Sequence, residues 1–350
     1  MASASGMLAP LEASMPKSLS GHFIQLIGSS LSRPTWLKYE SGWKAFEKFE
    51  IFSGKSFSWP LPAEAIRGFV TWCLSVSNLS PQSTRVYLAA LSMAHKLKGM
   101  ARPASLDDPL AMMALTGAAN RVQGTVPEMK ASRRAMTLPL LKILGHQLAA
   151  VKWDSINVQA YWTVSTMGFF TSARLGEFLA NDEVTFDPSS TLVWDDIKWR
   201  GDGSALIHLR NTKTRQVGGE YLDLFPFTGH NVCPVQALLT HQQRQQAARL
   251  SGGQNPVFRL ANGKNLTTST LNKILKMLLS PYLEPGRDTI SCHSFRAAAA
   301  SALNSSPHSA SVEDIKEWGR WKSSSFSAYT RLQGDRKKAI FGKLANSLNS

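Results

Sequence analysis

Apolar and polar positions recur along this chain with two different periods. Trp36, Tyr39, Trp43, Phe46 and Phe49 fall three or four apart after Ser32 and Pro34, which predicts a helix with its rings turned to a core. Ala63, Ile66, Phe69, Val70 and Cys73 repeat the pattern. Ser80-Pro81 opens a third helix, with Val86, Ala90, Met93 and Leu97 on its apolar face and Gly99 as its stop. Asp108-Pro109 starts a fourth, running through Met112, Met113 and Leu115 toward Arg121. Farther on, Thr137 and Pro139 predict a cap and first turn. A second helix follows over about 158–170, and residues 174–179 start or continue another. The period then shortens. TLVWDDIKWR, a turn at Gly201-Asp202-Gly203, ALIHLRNTKT and GEYLDLFP read as three short antiparallel strands. Helical spacing returns after Cys233-Pro234, over 268–279, and at Ile340, Phe341, Leu344 and Leu348.

This pattern predicts a mainly α protein. Residues 1–20 are small, polar and proline-containing and read as a disordered tail. Residues 21–123 form an all-α domain, and 124–136, GTVPEMKASRRAM, a linker. Residues 137–334 form an α+β domain with a small three-stranded antiparallel sheet. Residues 335–350 make a basic tail whose apolar positions need somewhere to dock.

Charge adds a partner. Lys and Arg number 39 against 24 Asp and Glu, a net charge of +15, which points to a polyanion, and among polyanions to nucleic acid. Arg85, Lys96 and Lys98 of the third helix and Lys130, Arg133 and Arg134 of the linker are the candidate phosphate contacts, beside the bland reading of a solvated face. Cys73, Cys233 and Cys292 give neither a disulfide framework nor a zinc spacing. No apolar run approaches the roughly 20 residues of a membrane span, and the start lacks the pattern of a signal peptide.

The candidate chemistry lies toward the C-terminal end. His293 and Arg296, three apart, share a helix face, and Trp321 and Tyr329 follow. Breaking a phosphodiester needs a nucleophile, neutralisation of the non-bridging oxygens and a proton for the leaving oxygen. Arginine neutralises without metal, because its planar fork binds two oxygens and stays charged. Arg174 is followed three residues later by Glu177, either a local ion pair or a support that holds the arginine rigid. No metal set is evident: Asp195-Asp196 falls in a predicted strand, where the two carboxylates would point to opposite faces. The expectation is metal-free phosphoryl transfer with no cofactor.

Several segments together resemble the tyrosine recombinases, the phage integrase family. TSARLGEFL at 171–179 resembles the family's first-arginine box, HSFR at 293–296 its His-x-x-Arg box, and GRWKSSSFSAYTR at 319–331 its final box. Lys213, in RNTKTRQVGG, occupies the place of the family's hairpin lysine. The likeness covers about 137–335; the N-terminal region resembles the core-binding domain less specifically. It implies that Tyr329 attacks the scissile phosphate, leaving a 3′-phosphotyrosyl link and a free 5′-hydroxyl. It further implies that Arg174 and Arg296 clamp the phosphate, that Lys213 is the general acid, and that His293 and Trp321 complete the pocket. Arg215 then contacts the DNA backbone, and the partners are double-stranded DNA and further copies of the chain, as a tetramer. Such a protein acts in the nucleus of a eukaryote, or otherwise in the cytoplasm on DNA.

Two positions depart from the family pattern. Trp321 lies eight residues before Tyr329 where nine is commoner, and Arg320 lies nine before it, so Arg320 is the rival for that place. The residue two before Arg174 is often glycine; here it is Ser172. The final box is most similar to recombinases of eukaryotic mobile elements of the DIRS, Ngaro and Crypton kinds. The competing readings are a type IB topoisomerase with a similar pocket and a DNA-binding protein that no longer cuts.

Overall fold

The structure is a computed structural model that describes residues 16–124, 132–212, 218–226, 232–286, 288–296, 298 and 311–320. It divides into two units, Met1–Glu128 and Met129–Ser350.

In the first unit five helices follow one another: α1 (Lys17–Ser29), α2 (Arg33–Ser53), α3 (Ala63–Ser75), α4 (Pro81–Leu97) and α5 (Pro109–Gly124). The predicted aromatic stripe of α2 is the core, with Phe46 edge-on to Phe69 of α3 at 5.2 Å between centroids. α2 and α4 approach so closely that a Cβ on Gly42 would lie 2.7 Å from that of Ala90, and Trp43 Nε1 donates to the Ala90 carbonyl at 2.7 Å. Ser80 caps α4, accepting from the Ser83 amide. Asp108 caps α5 through the Ala111 amide and takes the Arg67 fork at 2.9 and 2.8 Å. That guanidinium holds the Asp108 carboxyl down at about 2. The chain becomes helical at Lys17, inside the segment read as a tail. Ile24 and Ile27 pack against the core, and Trp36 Nε1 donates to the Gly28 carbonyl at 2.8 Å.

The second unit carries α6 (Leu138–Ala150), α7 (Ser155–Thr171), α8 (Pro234–Ala247), α9 (Thr268–Leu279) and α10 (Val312–Gly319), with a helical segment at 292–296. α7 is buried almost all round, and its Gln159 and Thr163 both donate to the Ala237 carbonyl of α8. It starts at Ser155, three residues ahead of the apolar pattern, because Asp154 caps it through the Ile156 amide.

Two sheets complete this unit. β1 (Ser132–Arg133) pairs in parallel with β5 (Asp288–Thr289). β2 (Ile197–Trp199), β3 (Ala205–Leu209) and β4 (Glu220–Leu224) form the expected antiparallel sheet in that order. Ile207 faces Ile197 on one side and Leu222 on the other, and alternate β3 residues enter the core.

Two expectations are corrected. Ser132 to Met136 is no free linker: after β1, the Arg134 amide donates to the Thr289 carbonyl and the Met136 amide to the Ser294 carbonyl, both at 2.9 Å. Asp195 and Asp196 do not lie in a strand but in one 3-10 turn, Trp194–Asp196. There the buried Asp196 accepts from the Val193 amide and from Arg210 Nε at 2.6 Å, so local pairing, not sheet alternation, sets its direction. No helix among the described residues is long and apolar enough to cross a membrane.

Candidate active site

The first arginine is placed by a sharp exit from α7. After Thr171 the chain turns through Ser172, at φ 50° and ψ 22°. This left-handed conformation costs a side-chain-bearing residue roughly 1–2 kcal/mol, which explains why a glycine suits that position in the motif this segment resembles. Arg174 then sits in extended conformation and caps a single 3-10 turn, Leu175–Glu177, rather than starting an α-helix as predicted. Its Nη1 donates to Glu177 Oε1 at 3.1 Å and its amide to Oε2 at 3.3 Å. The carboxylate is buried while the Arg174 side chain stays 34% exposed. Glu177 therefore holds the guanidinium from behind and leaves its outer edge toward solvent. Leu175 lies on Gly168 of α7 with no room for a Cβ between them.

The second arginine comes from segment 292–296. Arg296 is only 4% exposed, and its Nη1 donates to the Ser172 carbonyl at 2.8 Å. Ser172, near the head of the first box, thus joins the two. His293, on the same segment, is exposed. Three bonds fix the start of this segment: the Cys292 amide to Asn272 Oδ1 at 2.7 Å, the Ser291 amide to Ser294 Oγ at 3.1 Å, and the Met136 amide to the Ser294 carbonyl. Burial pushes the Cys292 thiol up to about 12, so the sulfur beside His293 stays a protonated, inert thiol at neutral pH.

A third arginine was visible in the sequence only as a rival to Trp321. α10 opens with a reciprocal cap between Ser311 and Asp314 and closes at Arg320 in a left-handed conformation. Arg320 Nη2 donates to Glu177 Oε2 at 2.8 Å and Nη1 to Glu220 Oε2 at 2.6 Å. Its side chain is 14% exposed. Glu220 opens β4, just after Gly219, whose φ of 64° and tight approach to the Leu209 carbonyl leave no place for a side chain. Trp318 Nε1 also donates to the Phe170 carbonyl of α7 at 2.9 Å. The end of α10 is thereby tied to the Arg174 box and to the strand that follows residues 213–217.

The remaining predicted residues are placed as follows. Tyr329, Lys213, Trp321, Arg215 and Lys130 lie outside the described residues. Arg133 takes part through its backbone in β1. Arg134 is ion-paired with Asp288 at 2.7 Å, so its charge is engaged within the second unit rather than held in a free linker. In the first unit Arg85 and Lys96 line a cavity of about 330 Å³ together with Tyr39, Ser92 and Arg102. Lys98 turns away to lie over the Trp59 ring, 4.9 Å from its centroid.

Solved structures share this fold. A lambda integrase dimer bound to a COC′ core site matches with a TM-score of 0.54 and 14% identity, over 91% of this chain and 96% of that one. XerH site-specific recombinase bound to palindromic difH substrate, a post-cleavage complex, matches at 0.52 and 12% identity, over 87% and 76%. A lambda integrase tetramer bound to a Holliday junction matches at 0.50 and 15% identity, over 90% and 82%. The fold is that of the tyrosine recombinases. No protein-family model matches the sequence, and no curated protein matches it. The likeness to tyrosine recombinases therefore rests on the course of the backbone, with the arginine boxes at one site within it.

Proposed function

We propose that the protein is a site-specific DNA recombinase that cuts and rejoins strands through Tyr329, without metal or ATP. The observation that carries this reading is the bond from Arg296 to the Ser172 carbonyl, which brings the second arginine box to the start of the first, 124 residues away. Two cations held on rigid supports suit one phosphate between them. The DNA complexes of lambda integrase and XerH support double-stranded DNA as the substrate, and the lambda tetramer on a Holliday junction supports a four-copy assembly. The net charge of +15 agrees with that partner.

In this reading Tyr329 Oη attacks phosphorus and loses its proton to solvent. The bond from phosphorus to O5′ breaks, and Lys213 protonates the departing oxygen. Arg174 and Arg296 balance the charge on the non-bridging oxygens, and His293 donates to one of them. A 5′-hydroxyl then attacks the phosphotyrosyl bond, and Tyr329 leaves and regains a proton. The linkage is conserved, so no external energy source is required. The likeness of the final box to recombinases of eukaryotic mobile elements supports that origin, and with it action in a nucleus; in any other host the protein acts in the cytoplasm on DNA.

The test uses a pool of nicked duplexes of randomised sequence, in which cleavage near a nick releases a short strand and traps the adduct. The wild-type chain is expected to give a covalent protein–DNA band on denaturing gels, and Tyr329→Phe none. A wild type without adduct, or a Tyr329→Phe variant that keeps it, refutes the proposal.

A further inference from the structure

We infer that Arg320 is a positioning residue that couples the Arg174 box to the hairpin bearing Lys213, acting through Glu177 and Glu220 and not through contact with DNA. This rests on the function proposed above. The supporting observation is the division of one guanidinium between two carboxylates from distant parts of the chain, at 2.8 Å to Glu177 and 2.6 Å to Glu220. Glu177 is at the same time the partner of Arg174. Glu220 is the first residue of β4, three positions beyond the segment 213–217. Arg320 itself closes α10, nine residues ahead of Tyr329.

The geometry also argues against a phosphate role. Both terminal nitrogens of Arg320 face carboxylates, and the side chain is 14% exposed against 34% for Arg174. A guanidinium that has satisfied two buried anions gains little by exchanging them for a phosphate. Its fork is suited to hold two oxygens from different side chains at a set spacing, which lysine, a point charge, does less well. Without it, Glu177 and Glu220 would repel across the gap, and both the first arginine and the base of the hairpin would move. Displacements of about 1 Å in such a site cost on the order of 100-fold in rate.

The test starts from the duplex recovered with the wild-type adduct. Strand cleavage and DNA affinity are measured for Arg320→Ala, Arg320→Lys and Glu220→Gln. Each is assayed on the ordinary duplex and on one with a bridging 5′-sulfur at the scissile position. A thiol ionises near pH ~8.5, so a thiolate leaves without the hairpin lysine's proton. Arg320→Ala should cut the ordinary duplex at least ~100-fold more slowly with affinity within about threefold, and Arg320→Lys should recover part of the rate. Sulfur should restore Glu220→Gln more than Arg320→Ala, since only the latter also releases Glu177.

Arg320→Ala cutting at the wild-type rate, or losing affinity in step with rate, overturns the inference. Should Arg320→Ala fail to melt cooperatively, Glu220→Gln decides: wild-type cleavage, or no gain with sulfur, overturns it. If the wild type itself gives no adduct, the function falls and the inference with it. If the wild type cuts and these variants cut equally, the inference alone falls.

Discussion

Arg296 donates a hydrogen bond to the carbonyl oxygen of Ser172, and Ser172 holds that oxygen in place with a left-handed backbone, at φ 50°. Its hydroxyl is buried without a partner among the described residues. Both features cost stability, and the carbonyl needs the left-handed backbone but no side chain upon it. Ser172→Gly should therefore raise stability by about 1 kcal/mol, the backbone relief outweighing the added entropy of glycine. Strand cleavage should be retained. Ser172→Val, β-branched in the same conformation, should lower the melting temperature. Thermal melts of the three proteins check the order.

The packing of Leu175 on Gly168 sets a second expectation. Gly168→Ala puts a methyl group where the Leu175 side chain already lies, and overpacking of this kind costs about 1–3 kcal/mol. Leu175 follows Arg174 directly, so cleavage should fall further than the stability loss alone accounts for. Adding Leu175→Val should restore part of both. A double-mutant cycle on melting and on cleavage rate measures the coupling.

Buried His241 makes the second unit sensitive to acid. Its Nε2 lies 2.9 Å from the Val257 carbonyl, so Nε2 carries the proton of the neutral ring. Nδ1 is buried without a partner among the described residues, and the ring stacks on Phe258. Burial pushes the imidazole down to about 4. The folded value is the depressed one, so the unfolded chain takes up the proton first, near pH ~6.5. Stability is thus complete above that pH and is lost progressively as pH falls toward 4. His241→Gln, which keeps a donor for Val257, should be less stable at pH 7 and show a flatter pH dependence. Melting temperatures between pH 7 and pH 4 test this.

Asp108 does the same for the first unit at lower pH. Hydrogen bonding to Arg67 is the main reason its carboxyl lies at about 2, and the Ala111 amide helps. This stabilisation is present above the ordinary carboxylate range and lost as pH falls through it toward 2. Asp108→Asn keeps an acceptor for the cap and gives up the charge. Its stability should fall less steeply below pH 4 than that of the wild type, read by helical circular dichroism.

Much of this was legible in the residues. The helices of the first unit follow from aromatic and aliphatic spacing, and their starts from Ser80-Pro81 and Asp108-Pro109, because caps and periodicity are local. The three-stranded sheet follows from alternation around Gly201-Asp202-Gly203. The pairing of Arg174 with Glu177 was half legible: the ion pair was expected at its spacing, but in a helix. The left-handed turn at Ser172 instead made Arg174 the extended cap of a short turn. Arg320 and Glu220 were not legible, since their bond spans 100 residues and no period marks either one. Arg320 stood out only through its distance from Tyr329. The segment at 132–136 misled for a related reason. Its composition is that of an exposed connection, and the partners that order it lie beyond residue 287.

That segment has a practical consequence for cutting the chain into pieces. A fragment begun at Thr137, where composition places the boundary, would remove the strand beside Asp288–Thr289 and the amide of Met136 that meets the Ser294 carbonyl. The second loss would be felt one residue from His293. A truncation meant to preserve the second unit has to begin ahead of Ser132, and one begun at Thr137 should open the 288–294 stretch to proteases.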